Sequence, residues 1–103
     1  MYPLVKSLLD RLEQEMKQQG CWQSSPPSPE KMASVEPFSI DTLTCPEWLQ
    51  WVYHARLSAI VDAQAELPSG AQVFPYAEEA LKNENIDADS LLVVIKKLDD
   101  LLM

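Results

Sequence analysis

Four stretches of the chain carry apolar residues at helical spacing, and polar residues fill the intervals. In the first, Leu4, Val5, Leu8, Leu9, Leu12 and Met16 fall on one stripe, while Lys6, Asp10, Arg11, Glu13, Gln14 and Lys17 face away. Gly20 follows as the residue that takes the left-handed backbone closing many helices. The second stretch, 44–62, opens with Thr44 and Glu47, a capping box in which each side chain satisfies the other's free backbone N–H. Pro46 lies in the first turn, where a missing N–H costs nothing. At about 100° per residue, Trp48, Trp51, Val52, Ala55 and Ala59 share one side, and Leu49, Tyr53, Leu57 and Ile60 another. Only Glu47, Gln50, His54, Ser58 and Asp62 make a polar strip. So little polar surface predicts a helix at the middle of the domain, ending near Ala65 before Leu67-Pro68-Ser69-Gly70.

After the connector Ala71-Gln72-Val73-Phe74, Pro75 opens a short helix to about Asn83. Tyr76, Ala77, Ala80 and Leu81 face inward, with Glu78, Glu79 and Lys82 outside. Asp87 caps the last helix, in which Leu91, Val94, Ile95, Leu98, Leu101 and Leu102 form the inner stripe. Lys96, Lys97, Asp99 and Asp100 are placed on its outer face. No strand pattern competes. The expected fold is all-α: one domain over 1–103, a four-helix bundle with a long Pro/Ser-containing crossover loop between helices 1 and 2.

That loop, Cys21 to Leu43, is longer than most connections in compact domains. Ser24-Ser25-Pro26-Pro27-Ser28-Pro29 favours extended backbone and cannot continue a helix. Trp22, Met32, Val35, Phe38, Ile40 and Leu43 are the anchors expected to hold the loop over the second helix. A ligand for a proline-reading domain is the sharper alternative, but rigid spacing already accounts for the prolines.

Composition narrows the function. A net charge of −8, with no basic cluster, repels nucleic acid and favours a basic protein partner. Two separated cysteines, Cys21 and Cys45, make no disulfide scaffold, and the first residues lack the pattern of a signal peptide. No run approaches the ~18 apolar residues of a membrane span. A cytoplasmic protein with reduced thiols, no membrane contact, and a monomeric or weakly dimeric state is expected.

Candidate chemistry is sparse. His54, the one histidine, sits between Gln50 and Ser58 on the polar strip and is read as solvated or partner-facing rather than as a general base, since no oxyanion loop accompanies it. One histidine and two distant cysteines give no metal-ligand spacing, and two glycines exclude phosphate loops; no cofactor and no metal are expected. Arg56 falls on the wheel between Val52 and Leu49, where a guanidinium must be paired or reach out to water. Asp41 is the first candidate partner and Glu79 the second, in a structural clamp. The functional alternative is an anion site at Arg56.

Pro37-Phe38 with Asp41-Thr42, Glu47-Trp48-Leu49-Gln50-Trp51-Val52 with Arg56, Leu67-Pro68, and Pro75-Tyr76 with Glu78 and Ala80-Leu81 resemble the YqcC-like family of small bacterial helical domains. The resemblance is close over residues 37–81 and extends to the outer helices by pattern. It implies a four-helix fold and an association with the pseudouridine synthase that modifies a uridine in tRNA. It brings no catalytic residue. Relatives often place proline just before the arginine, where this chain has Ala55, so a proline kink is not expected here. A pseudouridine synthase needs an α/β domain with a catalytic aspartate, so the chain is not expected to be that enzyme. Two readings remain open. One is a non-catalytic accessory module for a protein partner, with contacts through Trp22, Phe38 and the His54 strip. The other is a small-molecule (anion) binding domain, with a pocket between the loop and the second helix near Tyr53, Arg56 and Tyr76.

Overall fold

Among the described residues of the computed structural model, 1–70 and 72–103, every regular element is helical and no strand occurs. Ala71, at the start of the expected connector, lies outside them. Five helices follow one another: α1 (Tyr2–Gln18), the single-turn α2 (Pro29–Met32), α3 (45–63), α4 (Phe74–Ala80) and α5 (Asp89–Leu101).

Local chemistry sets their ends. α1 closes at Gly20, whose φ of 73° lets Cys21 N–H return to the Met16 carbonyl at 3.0 Å. Thr44 and Glu47 form the expected capping box, with N···O distances of 2.9 and 3.3 Å. α3 ends at Ala63, and the left-handed Gln64 (φ 51°) directs Ala65 N–H onto the Ile60 carbonyl at 3.0 Å. Asp87 does accept a backbone N–H, from Asp89 at 3.2 Å, but the helix starts two residues beyond it, with Ala88 at the N-cap. α4 runs on into a 3₁₀ turn over Leu81–Asn83.

The stretch from 19 to 44 is more structured than an extended loop. Pro29, whose fixed φ suits a first helical residue, opens α2, and Ser28 Oγ caps it by accepting Lys31 N–H at 3.3 Å. A second turn covers Pro37–Ser39. Of the expected anchors, Leu43 is buried and Trp22, Met32 and Phe38 are half-buried. Val35 and Ile40 point outward instead, 95% and 67% exposed.

α3 is not the hub. α1 takes that place, packed between α3 and α5, while α4 packs against α5 and reaches the start of α3 through Tyr76. Val5, Leu9, Leu12 and Met16 of α1 are closed to water and meet Leu91, Val94, Ile95 and Leu98 of α5. Leu4, expected on the α1 stripe, is open to solvent. Neighbouring helices run antiparallel: Gln19 Oε1 accepts Asp87 N–H, joining the end of α1 to the start of α5, and the Tyr2 hydroxyl donates to the Ala65 carbonyl at 2.6 Å, joining the start of α1 to the end of α3.

The reason α3 is peripheral lies in its middle. Residues Leu49–His54 form a π-helical turn, which holds one more residue than an α-turn. The uniform wheel therefore breaks at this point. Leu49, Tyr53, Leu57 and Val61, each four residues apart, would drift around a regular helix; the wide turn brings them onto one inward line. Ala55, Arg56 and Ala59 are carried out to solvent, while Trp48 and Trp51 are half-buried.

Candidate functional site

Two clusters gather most of the residues singled out from the sequence. In the first, Phe38 lies flat on Tyr76, with centroids 4.1 Å apart and planes 6° from parallel. The edge of Trp48 meets both rings, at 5.0 and 5.8 Å, and its face lies against Tyr53 at 5.5 Å. The arrangements are the offset and edge-on ones that aromatic quadrupoles favour. Tyr53 is buried, and burial pushes its phenol pKa up, with Asp99 adding to the effect.

The backbone beneath this stack is strained. Phe38 and Ser39 both have left-handed φ, 56° and 48°, a conformation that side chains bearing a Cβ seldom adopt. The turn sends Phe38 inward onto Tyr76 and leaves Ile40, two residues on, facing water. Between Ile40 and α4 runs an open groove of about 610 Å³. Leu43, Cys45, Tyr76 and Ala80 line it, with Glu79 and Glu84 at its edge. Burial pushes the Cys45 thiol up to about 12, against the neighbouring Tyr76 hydroxyl, so the sulfur is a wall and not a nucleophile.

The second cluster surrounds His54. Its Nε2 lies 3.1 Å from the Leu9 carbonyl oxygen of α1, which has no proton to give, so the ring nitrogen is the donor. Nδ1 then accepts from Ser58 Oγ at 3.3 Å. Trp22 meets the ring edge-on at 5.2 Å, and a Glu13 carboxylate oxygen lies 3.7 Å from Nε2. Burial lowers the imidazole pKa, with Glu13 and the Leu9 carbonyl pulling the other way. His54 is therefore neither solvated nor free: both nitrogens are engaged, Nε2 fastening α3 to α1 and Nδ1 taking the Ser58 hydroxyl within α3. Of its two neighbours on the polar strip, Ser58 is a partner and Gln50 is not.

Arg56 is not clamped. It stands exposed, with no ion pair among the described residues. Its two expected partners are engaged elsewhere: Asp41 accepts from Ser34 Oγ, and Glu79 pairs with Lys82 at 2.8 Å. The π-turn explains the correction, since it rotates residue 56 off the inner sector. No lysine or arginine lines the groove beside Tyr76, and neither Tyr53 nor Arg56 does, so the residues assigned to one anion pocket are not brought together. Among the described residues no three His, Cys, Asp or Glu side chains group so as to hold a metal ion.

Two polar residues of structural weight escaped the sequence reading. Gln50 is buried, and its amide pairs with the main chain of Gln23 at both ends. Trp51 Nε1–H donates to the Gln23 side chain at 2.9 Å, and Gln23 donates to Glu47 at 3.3 Å. Asp99, placed on the outer face of α5, is instead buried, accepting the Val73 and Phe74 N–H groups at 3.0 and 2.7 Å. A signal existed for Asp99, which lies one turn from both Ile95 and Leu102, at the margin of the apolar stripe.

Comparison with known proteins agrees with the fold. The DUF446 family model, described as tRNA pseudouridine synthase C, matches residues 4–101. An uncharacterised protein of Haemophilus influenzae is 41% identical over 97 residues, covering 94% of this chain and 91% of that one. YqcC of Escherichia coli K12 is 34% identical over 97 residues, 94% of this chain and 89% of its own. The solution structure of the E. coli YqcC protein superposes with a TM-score of 0.84 at 33% identity, covering 98% of this chain and 86% of that chain. A tRNA pseudouridine synthase C of Pectobacterium carotovorum subsp. carotovorum is 43% identical over 64 residues, which are 62% of this chain and 17% of that protein.

Proposed function

Because the chain belongs to the YqcC-like family, DUF446, we propose that it is a non-catalytic accessory module acting on a protein partner, the tRNA pseudouridine synthase. One observation carries the reading: a segment 43% identical to this chain occupies 17% of a longer protein named for that synthase. Placing such a segment on the same polypeptide as a synthase gives it a high effective concentration there, which is useful to a domain whose work lies on that partner. The chain's own chemistry supports it. Its charge of −8 disfavours tRNA itself, and His54 is consumed in packing. On this reading the chain is a four-helix bundle strapped by the 19–44 crossover, working in the cytoplasm as a monomer or weak homodimer. Among the described residues no helix is long and apolar enough to cross a membrane.

The test mixes the purified chain with the tRNA pseudouridine synthase of the same organism and follows both by size-exclusion chromatography and calorimetry. Co-elution and a saturable heat are expected. Separate elution with no heat would overturn the assignment of the partner.

A further inference from the structure

We propose that the groove between the Ile40 turn and α4 docks a basic segment of the partner that carries a bulky apolar side chain, a proposal that rests on the accessory-module reading. The floor is apolar and open: Leu43, Tyr76 and Ala80 face a space of about 610 Å³, and Ile40 overhangs it at 67% exposure. An isoleucine held in water beside an apolar hollow is half of a hydrophobic contact. The backbone is strained to hold it there, since the left-handed Phe38 and Ser39 turn the Phe38 side chain inward and leave that of Ile40 outside.

Charge selects the occupant. The groove has no cation in its lining, and Glu79 and Glu84 edge it. Glu79 is shared with Lys82, whereas Glu84, half-buried, has neither ion pair nor side-chain hydrogen bond among the described residues. Within a chain of net charge −8 this edge attracts lysine or arginine and repels nucleic acid and acidic peptides. The hollow is too open to enclose a small molecule, so a chain segment with one apolar anchor and flanking cations fits it.

The full chain, labelled for amide chemical-shift mapping, is titrated with the purified synthase and, separately, with an acetylated six-residue peptide of two leucines between pairs of lysines. Its glutamate counterpart is the control. Shifts at Ile40, Leu43, Tyr76 and Ala80 with the lysine peptide alone, weaker in high salt, are expected. Ile40→Asp and Glu84→Lys are each expected to weaken synthase binding by at least about tenfold, and Val93→Asp, on the exposed side of α5, to leave it unchanged. Circular dichroism checks that each variant is folded. Groove variants that bind the synthase as tightly as the parent, or peptide shifts that are missing or lie elsewhere, overturn the groove. Loss of binding by the parent chain overturns the partner instead, and the peptide titration then decides the groove by itself.

Discussion

The side chain of Gln50 pairs with the main chain of Gln23 through both ends of its amide, accepting from the N–H at 2.8 Å and donating to the carbonyl at 2.7 Å. One glutamine thus gives the start of the strap the two bonds that a neighbouring strand would give it. Gln50→Leu removes both and leaves main-chain groups unpaired at a half-buried site. A loss of about 1–3 kcal/mol is expected in urea unfolding, with faster hydrogen exchange at the Gln23 amide. Unchanged exchange there would show that the pairing holds nothing.

Asp99 does equivalent work for α4, which begins without a capping side chain of its own. Asp99→Ala is expected to cost about 2–3 kcal/mol by thermal or urea unfolding, because two backbone donors lose a charged acceptor. Asp99→Asn, which keeps one acceptor oxygen, should lose less. Equal losses would assign the effect to packing.

Gln64 holds a left-handed backbone at the end of α3, and the Tyr2 hydroxyl reaches the carbonyls of Gln64 and Ala65. Glycine takes that backbone without a Cβ clash, so Gln64→Gly should stabilise the protein by about 0.5–1 kcal/mol, net of the extra freedom glycine has when unfolded. Tyr2→Phe should cost about 1 kcal/mol. Both are read from denaturation midpoints.

His54 makes stability depend on pH in one direction. Burial holds its folded pKa below the ordinary 6.5, so the unfolded chain takes up the proton first. This contribution is complete above that value and is lost as pH falls through it toward the lowered folded pKa. His54→Gln should flatten the stability curve over this window relative to the parent, measured by urea unfolding at stepped pH. An identical slope in both proteins would sink the assignment.

The thiols should differ from free cysteine. With Cys45 pushed up to about 12 and enclosed, alkylation by iodoacetamide at pH 8 should be far slower than in urea, where it should match Cys21. Mass spectrometry of timed samples gives the two rates.

The helices and most of their ends were legible because they are written in adjacent residues: Gly20 after the first stripe, Thr44 with Glu47, Pro75, and the Leu91 to Leu102 repeat. What was not legible depends on a change of pitch or on groups far apart in the chain. A single period of about 100° puts Arg56 inside and α3 at the centre; the i+4 line of Leu49, Tyr53, Leu57 and Val61 is the sequence trace of the wider turn, and it competes with the regular wheel. Gln50 and Asp99 read as surface because their partners are backbone groups 27 and 26 or 25 residues away. Trp22 with His54 and Phe38 with Tyr76 do meet, but in two separate places.

The π-turn divides α3 into two rods geared to one another at a fixed offset. Deleting a single residue between 49 and 54 would remove the extra residue that the wide turn holds, closing it to a regular turn that leaves Arg56 outside and keeps Leu57 and Val61 against α1. Alignments and grafts of this segment can therefore take a one-residue gap here, which the turn absorbs by closing, whereas the same gap in the regular helix on either side acts as a rotation of about 100°.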